Sequence, residues 1–488
     1  MPELHKENVF ETEVVEHLTA NGWLEGEWQN YDRERALYTE DLLWWLREQN
    51  PKEWQKLSIR DEDEKEKAVI ARACEEMDKN GSLYVLRHGL KHLNAKFHVC
   101  QFKPSSGLNE QIIARYKAVR CRVVRQVHYS TSNEKSIDLV FFVNGIPVAT
   151  AELKTDFTQN VQDAIRQYKN DRYPRDKETR REEPLLAFKR RALVHFAVSS
   201  DEVYMTTELK GSDTYFLPFN RGFDDGAGNP PNADGYRTAY LWESVLQRDN
   251  WLKVLGRFVH LEKEEKKDDQ GRKKVSEKLI FPRFHQLEAV NRLIDAARTE
   301  GSGQKYLIQH SAGSGKSNSI AWLAHQLSDL HNADDAKIFD SVIVITDRTV
   351  LDDQLQETIY QFEHKQGVVR RSIKDGVKSE QLAKALIERA PIIIVTIQTF
   401  PFVLDEIREN ASLKERRFAV IADEAHSSQT GNAAKKLKLA LTAEQIQEGE
   451  EIEEGEEISA EDVMLASMEA RVQPKNISYF AFTATPKA

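Results

Sequence analysis

Cysteine is scarce in this chain. Its three thiols, Cys74, Cys100 and Cys121, have neither the paired spacing of a disulfide framework nor metal-ligand spacing, which excludes a stapled secreted scaffold. They read as buried or incidental thiols of a reducing compartment. Long apolar runs are missing too. No stretch of about 18 apolar residues occurs, so no membrane span is expected. The opening Met1-Pro2-Glu3-Leu4-His5-Lys6 lacks the apolar stretch of a secretory signal, and a cytoplasmic protein is expected. There is no internal repeat. Nor is there a basic excess, since the net charge is −10.

The location of that charge matters more than its sum. Between Glu444 and Asp462 lie ten acidic residues and no Lys or Arg, so a single stretch accounts for the whole excess. It reads as a solvated acidic insertion. The remainder is near neutral with local basic clusters such as Lys189-Arg190-Arg191, and charge neither supports nor excludes a DNA partner. With 488 residues, 40% of them hydrophobic, the chain can build ordinary cores in roughly two to four domains.

The first part mixes helical and strand patterns. Val9 to Leu18 and Ala36 to Gln49 read as helices, the second with Leu37, Leu42, Leu43 and Leu46 on one stripe. Trp44 and Trp45 beside it are read as packing residues rather than as a platform for bases. Lys96–Phe102 and Arg120–Tyr129 look β-like. Two apolar runs, from Ile137 to Val143 and from Pro147 to Leu153, are joined by Asn144-Gly145, a strong hairpin signal because both residues tolerate positive φ. A highly charged stretch, Leu261 to Lys274, reads as a linker or exposed loop. Beyond it, near-continuous apolar strands alternate with helices: Tyr306–Ile308, Ser341–Thr346, Ile392–Thr396, Phe418–Ile421 and Tyr479–Phe482. That texture predicts a parallel sheet covered on both faces.

Between the first of these strands and a helical stretch from Asn318 sits Gly313-Ser314-Gly315-Lys316-Ser317. Such a loop wraps phosphate oxygens in backbone N–H groups, aided by the following helix N-terminus. Lys316 would reach the β- and γ-phosphates of ATP, and the Ser317 hydroxyl would hold Mg²⁺. The strict phosphate-loop pattern wants Gly where His310 stands. Downstream, Val420-Ile421-Ala422-Asp423-Glu424-Ala425-His426 ends a strand in two carboxylates. Asp423 would hold the metal and Glu424 would polarise the attacking water. This Asp-Glu-Ala-His, with Thr483-Ala484-Thr485, resembles motifs II and III of superfamily 2 helicases and translocases. Gln286 resembles that superfamily's adenine-reading glutamine. Thr346-Asp347-Arg348 and Thr396-Ile397-Gln398-Thr399 stand where its DNA-backbone motifs stand, or are strand ends with turn-capping polar residues. The resemblance runs from about Phe281 to Pro486 and implies a RecA-like first motor domain. The second motor domain that such engines need is not found, so this fragment is not expected to translocate alone.

In the first half, Asp138 begins one arm of the predicted hairpin, while Glu152 and Lys154 end the other, two residues apart on one strand face. Two carboxylates and a lysine can bind Mg²⁺ and orient water against a phosphodiester, with Lys154 positioning the water or stabilising developing charge. The pattern is loose, and a solvated hairpin tip is the alternative. A PD-(D/E)xK nuclease ahead of a superfamily 2 motor resembles the R, or motor, subunit of type I restriction enzymes. Ser136-Ile137-Asp138-Leu139-Val140, Asn144-Gly145-Ile146-Pro147, Glu152-Leu153-Lys154, Phe216-Leu217-Pro218-Phe219-Asn220-Arg221-Gly222 and Asp347 to Leu355 carry that resemblance. It implies an N-terminal helical glutamate completing the metal site, Glu11 being the candidate with Glu7, Glu13 and Glu16 as competitors. It also implies a Gln-x-x-x-Tyr motif on the next helix. Here Ala164 stands four before Tyr168, so Gln167 and Tyr168 are expected in a shifted part.

The resulting expectation is an α/β chain with three parts. A PD-(D/E)xK nuclease domain spans 1–260 (core about 100–200), and a charged linker or loop spans 261–278. A RecA-like parallel-sheet domain spans 279–488, carrying the acidic insertion at about 444–462. The resemblance implies an ATP-dependent DNA-translocating endonuclease of a prokaryotic cell, using Mg²⁺ and ATP on double-stranded DNA. Its partners would be methyltransferase (M) and specificity (S) subunits. Two other readings stay open: a helicase or remodelling ATPase whose front domain only binds DNA, and a regulatory module with a degenerate nuclease.

Overall fold

A computed structural model of the chain describes residues 4–155, 159–224, 226–267, 273–311, 313–346, 350–361, 369–371, 384–396, 400–423 and 475–483. The chain divides into two compact units, 1–285 and 286–488.

The first unit is built on a seven-stranded mixed sheet. In chain order its strands are β1 (Leu24–Gly26), β4 (Cys121–His128), β5 (Ser136–Val143), β6 (Ile146–Leu153), β7 (Val194–Val198), β8 (Val203–Thr206) and β9 (Leu217–Pro218), which also lie side by side in that order. β2 (Leu90–His92) and β3 (Ala95–Phe97) form a separate small hairpin. β5 and β6 are buried almost throughout, because both faces of the sheet are covered. On one face Val140 and Phe142 join Ala164, Ile165 and Tyr168 of the helix Val161–Asp171 in a single core. On the other, Phe141 meets the edge of Trp23.

The Asn144-Gly145 turn forms as expected, with φ of 47° and 80°, the positive values that a two-residue hairpin needs. Asn144 is pinned on both sides: its Oδ1 accepts from Arg120 N at 2.9 Å and its Nδ2 donates to Val99 O at 2.9 Å. A Cβ at Gly145 would sit 2.3 Å from the Tyr38 carbonyl oxygen, so the close approach itself demands glycine. Beyond the turn the ladder slips by one. Phe142 pairs with Pro147 but Phe141 pairs with Ala149, leaving Val148 as an extra residue in β6, a β-bulge.

The helix Thr39–Glu48 is fastened to this sheet by a wholly buried carboxylate. Asp41 accepts two bonds from Arg122 of β4 (2.6 and 2.9 Å) and one from Arg120 (2.9 Å). This helix starts later than the apolar stripe predicts, because Ala36 takes a positive φ of 53° and Asp32 bridges to Leu37. The β-like stretch Lys96–Phe102 is strand only to Phe97. His98 instead gives its N–H to Asn50 Oδ1 (2.9 Å), and its carbonyl accepts from Trp45 Nε1 (2.8 Å). Trp45 is fully buried and the Arg120 guanidinium lies 3.6 Å from the centre of the Trp44 ring, so both tryptophans serve packing.

One expectation needs correcting. The charged stretch read as a linker or exposed loop is a regular hairpin of β10 (His260–Lys267) and β11 (Lys273–Ile280). Register explains it. Glu262 faces Lys278 and Lys263 faces Glu277, while Leu261 and Leu279 close the buried end. Opposite charges directly across a ladder stabilise it, so a composition that looks like a linker folds as strands.

The second unit carries a wholly parallel sheet. Its strands are β12 (Lys305–Gln309), β13 (Ser341–Thr346), β14 (Val369–Arg371), β15 (Ile392–Thr396), β16 (Phe418–Ala422) and β17 (Ile477–Thr483), in the spatial order β12-β17-β16-β13-β15-β14. Val395 and Val420 share a core with Phe400, Val403 and Ile407 of the helix Phe400–Glu409. The helix Lys316–Ser328 buries Ile320, Trp322, Leu323 and Leu327. Alternating strands and helices with parallel pairing match the predicted α/β class. The acidic insertion at about 444–462 lies outside the described residues. Among the described residues no helix is long and apolar enough to cross a membrane.

Candidate nuclease and nucleotide sites

The bulge decides the geometry of the acidic pair. Past Val148 the register runs Val140 with Thr150 and Leu139 with Ala151, so the next pair is Asp138 with Glu152. Residues directly opposite in an antiparallel ladder share a face. Asp138 Oδ2 accepts the backbone N–H of Leu153 at 2.7 Å, and Lys154 N donates to Val198 O at 2.9 Å, which fixes the lysine at the end of β6. Asp138, Glu152 and Lys154 are 9%, 0% and 8% exposed. These three are buried at the end of the strands remote from the turn, unlike residues of a solvated tip.

Glu152 is held asymmetrically. Its Oε1 accepts from Arg172 Nε at 2.6 Å, while its Oε2 is buried without a hydrogen-bond partner. Burial pushes this carboxyl well above the usual range and the neighbouring Asp138 adds to the rise; Arg172 and Lys154 pull against it. Two carboxylates, one with an orphaned inward oxygen, suit a cation that takes one or two protein carboxylates and completes its shell with water and phosphate oxygens, as Mg²⁺ does. Among the described residues no three His, Cys, Asp or Glu side chains form a ready-made cage.

Glu11, from the helix Leu4–Ala20, is brought in indirectly. Gln126 Nε2 donates to Glu11 Oε2 at 2.9 Å and to Asp138 Oδ1 at 3.3 Å, and its Oε1 accepts from Ser136 Oγ at 3.0 Å. Gln126 achieves this with a φ of 47° in the middle of β4, a left-handed conformation that costs a non-glycine residue about 1 kcal/mol or more. Of the competing glutamates, Glu16 is exposed. Glu13 is raised by burial and by Glu243. The side chain of Glu7 lies outside the described residues. No sequence signal singles out Gln126, since its partners are 115 and 12 residues away.

Tyr168 departs from the shifted motif part expected for it. It is wholly buried, and its hydroxyl lies 2.7 Å from Thr150 Oγ1, which in turn is 2.8 Å from His195 Nδ1. The residue of this stretch that reaches a site carboxylate is Arg172, one turn beyond Tyr168.

In the second unit, β12, β17 and β16 are adjacent and parallel, so His310, Thr483 and Asp423 stand at their carboxyl ends, where nucleotide sites of such sheets lie. His310 N donates to Thr483 O at 2.9 Å and its ring meets the edge of Phe482. His310 therefore continues the strand and needs no glycine's freedom. That freedom is used three and five residues later, at Gly313 and Gly315, with φ of 76° and 83°. Lys316 and Ser317 open the helix Lys316–Ser328, earlier than the expected Asn318. Ser314 is buried in the loop. Gln286 is also buried, and its Nε2 donates to the Gly315 carbonyl at 2.9 Å, bracing the loop with the same side chain the sequence suggests for adenine. Asp423 N approaches Ile345 O at 3.4 Å. Glu424, Asp347-Arg348, Ile397-Gln398-Thr399 and Ala484-Thr485 lie outside the described residues.

Two family models match the chain, one on each unit's sequence. Residues 6–214 match the type I restriction enzyme R protein N terminus. Over that stretch the chain resembles the type I restriction enzyme R proteins. Residues 285–447 match the SWI2/SNF2 ATPase family, consistent with a helicase-like domain behind the R-protein domain. Among curated proteins, the type I restriction enzyme HindI endonuclease subunit of Haemophilus influenzae is 26% identical over 310 residues, covering 61% of this chain and 26% of that protein. A putative type I restriction enzyme MjaVIIIP endonuclease subunit of Methanocaldococcus jannaschii is 23% identical over 324 residues, covering 61% and 28%. The R-protein likeness thus spans about a quarter of the length of these relatives.

Proposed function

We propose that this chain carries the nuclease and part of the motor of an ATP-dependent type I restriction endonuclease. The observation that carries the reading is the buried pair of Asp138 and Glu152 facing each other across the β5–β6 ladder with Lys154 beside them. In this reading Asp138 and Glu152, with Glu11 behind Gln126, hold Mg²⁺, which when bound supplies an activated water and charge neutralisation at the scissile phosphate. Asp138 is kept oriented by the Leu153 N–H. Lys154, whose main chain is bonded to β7, steers the water or stabilises the growing negative charge.

In the second unit, the Gly313–Ser317 loop cradles ATP phosphates. Lys316 would meet the β- and γ-phosphates, Ser317 and Asp423 would hold a second Mg²⁺, and Glu424 would polarise the hydrolytic water. Gln286 braces the loop against its helix through the Gly315 carbonyl and, in this reading, reads adenine. The substrate is double-stranded DNA in a prokaryotic cytoplasm, and the partners are methyltransferase and specificity subunits that choose the site. The domain division proposed is a nuclease domain to about 260, with the motor domain from about 279.

Plasmid cleavage by the reassembled complex tests this, using the whole subunit with Mg²⁺, with and without ATP, as wild type and Glu152→Ala. ATP-dependent cutting that disappears in the variant is expected. Cutting that persists moves the nuclease elsewhere. No cutting by the wild type favours a motor whose front domain only binds DNA.

A further inference from the structure

Arg172 has no part in the motifs that identify the site, yet it touches both strands that build it. It follows the helix Val161–Asp171 as its C-cap residue. From there Nε donates to Glu152 Oε1 at 2.6 Å, on β6, and Nη2 donates to the Ser136 carbonyl at 2.5 Å, on β5 two residues before Asp138. The side chains of the pair are 6% and 0% exposed. The guanidinium also stands over the Tyr129 ring, 5.7 Å from its centre, which limits its freedom to swing. A planar guanidinium fork can bind two acceptors at fixed separation, which a lysine cannot.

We propose that Arg172 is a positioning residue for the divalent metal of the nuclease site: it grips Glu152 by Oε1 and ties that grip to β5, so that Oε2 alone is presented beside Asp138. Two observations meet in this inference. One is the asymmetry of Glu152, with one oxygen in a charged bond and the other buried without a partner. The other is the departure on the helix itself. Ala164 stands where the expected motif has its glutamine, and Tyr168 is turned inward to Thr150, so the polar reach of this segment passes to the residue one turn further on. Arg172 does not touch the metal or the phosphodiester; it acts through Glu152.

The inference rests on the nuclease reading of Asp138 and Glu152, and the test separates the two. Mn²⁺ binding to this 488-residue chain is measured by titration calorimetry for the wild type, Glu152→Gln, Arg172→Met and Arg172→Lys, alongside each variant's metal-free melting temperature. The expected result is binding by the wild type, loss in Glu152→Gln, and an affinity about tenfold or more weaker in Arg172→Met, the usual effect of removing a residue that orients a metal ligand. Arg172→Lys keeps the charge but lacks the guanidinium's rigid fork that spans Glu152 and Ser136 from two nitrogens, so it falls between. If Arg172→Met fails to fold, Arg172→Lys decides: weaker binding at a wild-type melting temperature supports the role. Unchanged or tighter binding in both Arg172 variants, with Glu152→Gln still deficient, overturns the role of Arg172 and leaves the nuclease site standing. Wild-type affinity in Glu152→Gln, or no binding by the wild type, removes the site and the inference together.

Discussion

The sharpest quantitative consequence of the first unit concerns His195. Its ring is 2% exposed at the centre of the sheet, with Nδ1 2.8 Å from Thr150 Oγ1, and burial lowers its pKa from 6.5 to about 3. In the unfolded chain the imidazole takes up a proton near 6.5; in the folded chain it does so only near 3. The unfolded state therefore binds more protons throughout that interval, and stability is lost as the pH falls through it. Each pH unit is worth up to about 1.4 kcal/mol, so lowering the pH from about 7.5 to about 4.5 removes roughly 2.5 kcal/mol through this one group. Carboxylates also titrate in that range, so the reading is a difference. Urea unfolding of the wild type and His195→Gln is compared at both pH values, and the wild type should lose roughly 2.5 kcal/mol more than the variant. Whatever Gln costs at neutral pH cancels. Two pH profiles that run parallel would refute the claim that His195 is folded as the neutral ring.

Two further outcomes follow from other groups. Asp41→Ala leaves the buried Arg122 without its carboxylate and should cost about 3–5 kcal/mol, read as a drop in melting temperature on the order of 10 °C; a change within a degree would mean that solvent reaches Arg122. Lys316→Ala removes the charge aimed at the phosphates and should weaken ATP binding by at least about tenfold with the first unit's stability untouched, and a normal ATP dissociation constant would sink the assignment of the loop.

What the sequence makes legible here is what depends on near neighbours. Near-continuous apolar runs mark β5, β6, β13, β15 and β16 because both faces of their sheets are covered. Asn144-Gly145 marks its turn because few residues accept positive φ twice. Gly313-Ser314-Gly315-Lys316-Ser317 marks a strand-to-helix loop for the same reason. What stays hidden depends on partners far along the chain. The β10–β11 hairpin looks like a linker until Glu262 is set against Lys278. Gln126 is one polar residue in a strand until Glu11 and Asp138 are both found accepting from its amide nitrogen. Arg172 looks like any charged residue at a helix end. His98 leaves its expected strand because a side chain, Asn50, competes for its backbone.

The extra residue in β6 has a numerical consequence. A ladder that starts from a two-residue turn pairs positions whose numbers sum to a constant, here 289, as with Val143 and Ile146. An odd sum can only match an even-numbered residue with an odd-numbered one. Asp138 and Glu152 are both even, so an unbroken hairpin could never set them face to face; Glu152 would meet Ile137 and point to the opposite side of the sheet. Val148 changes the sum to 290 and so changes the parity. The hairpin can therefore gain or lose residues in matched pairs near its turn, or lose Val148 itself and run on as a regular ladder, and still keep its two acids opposite each other.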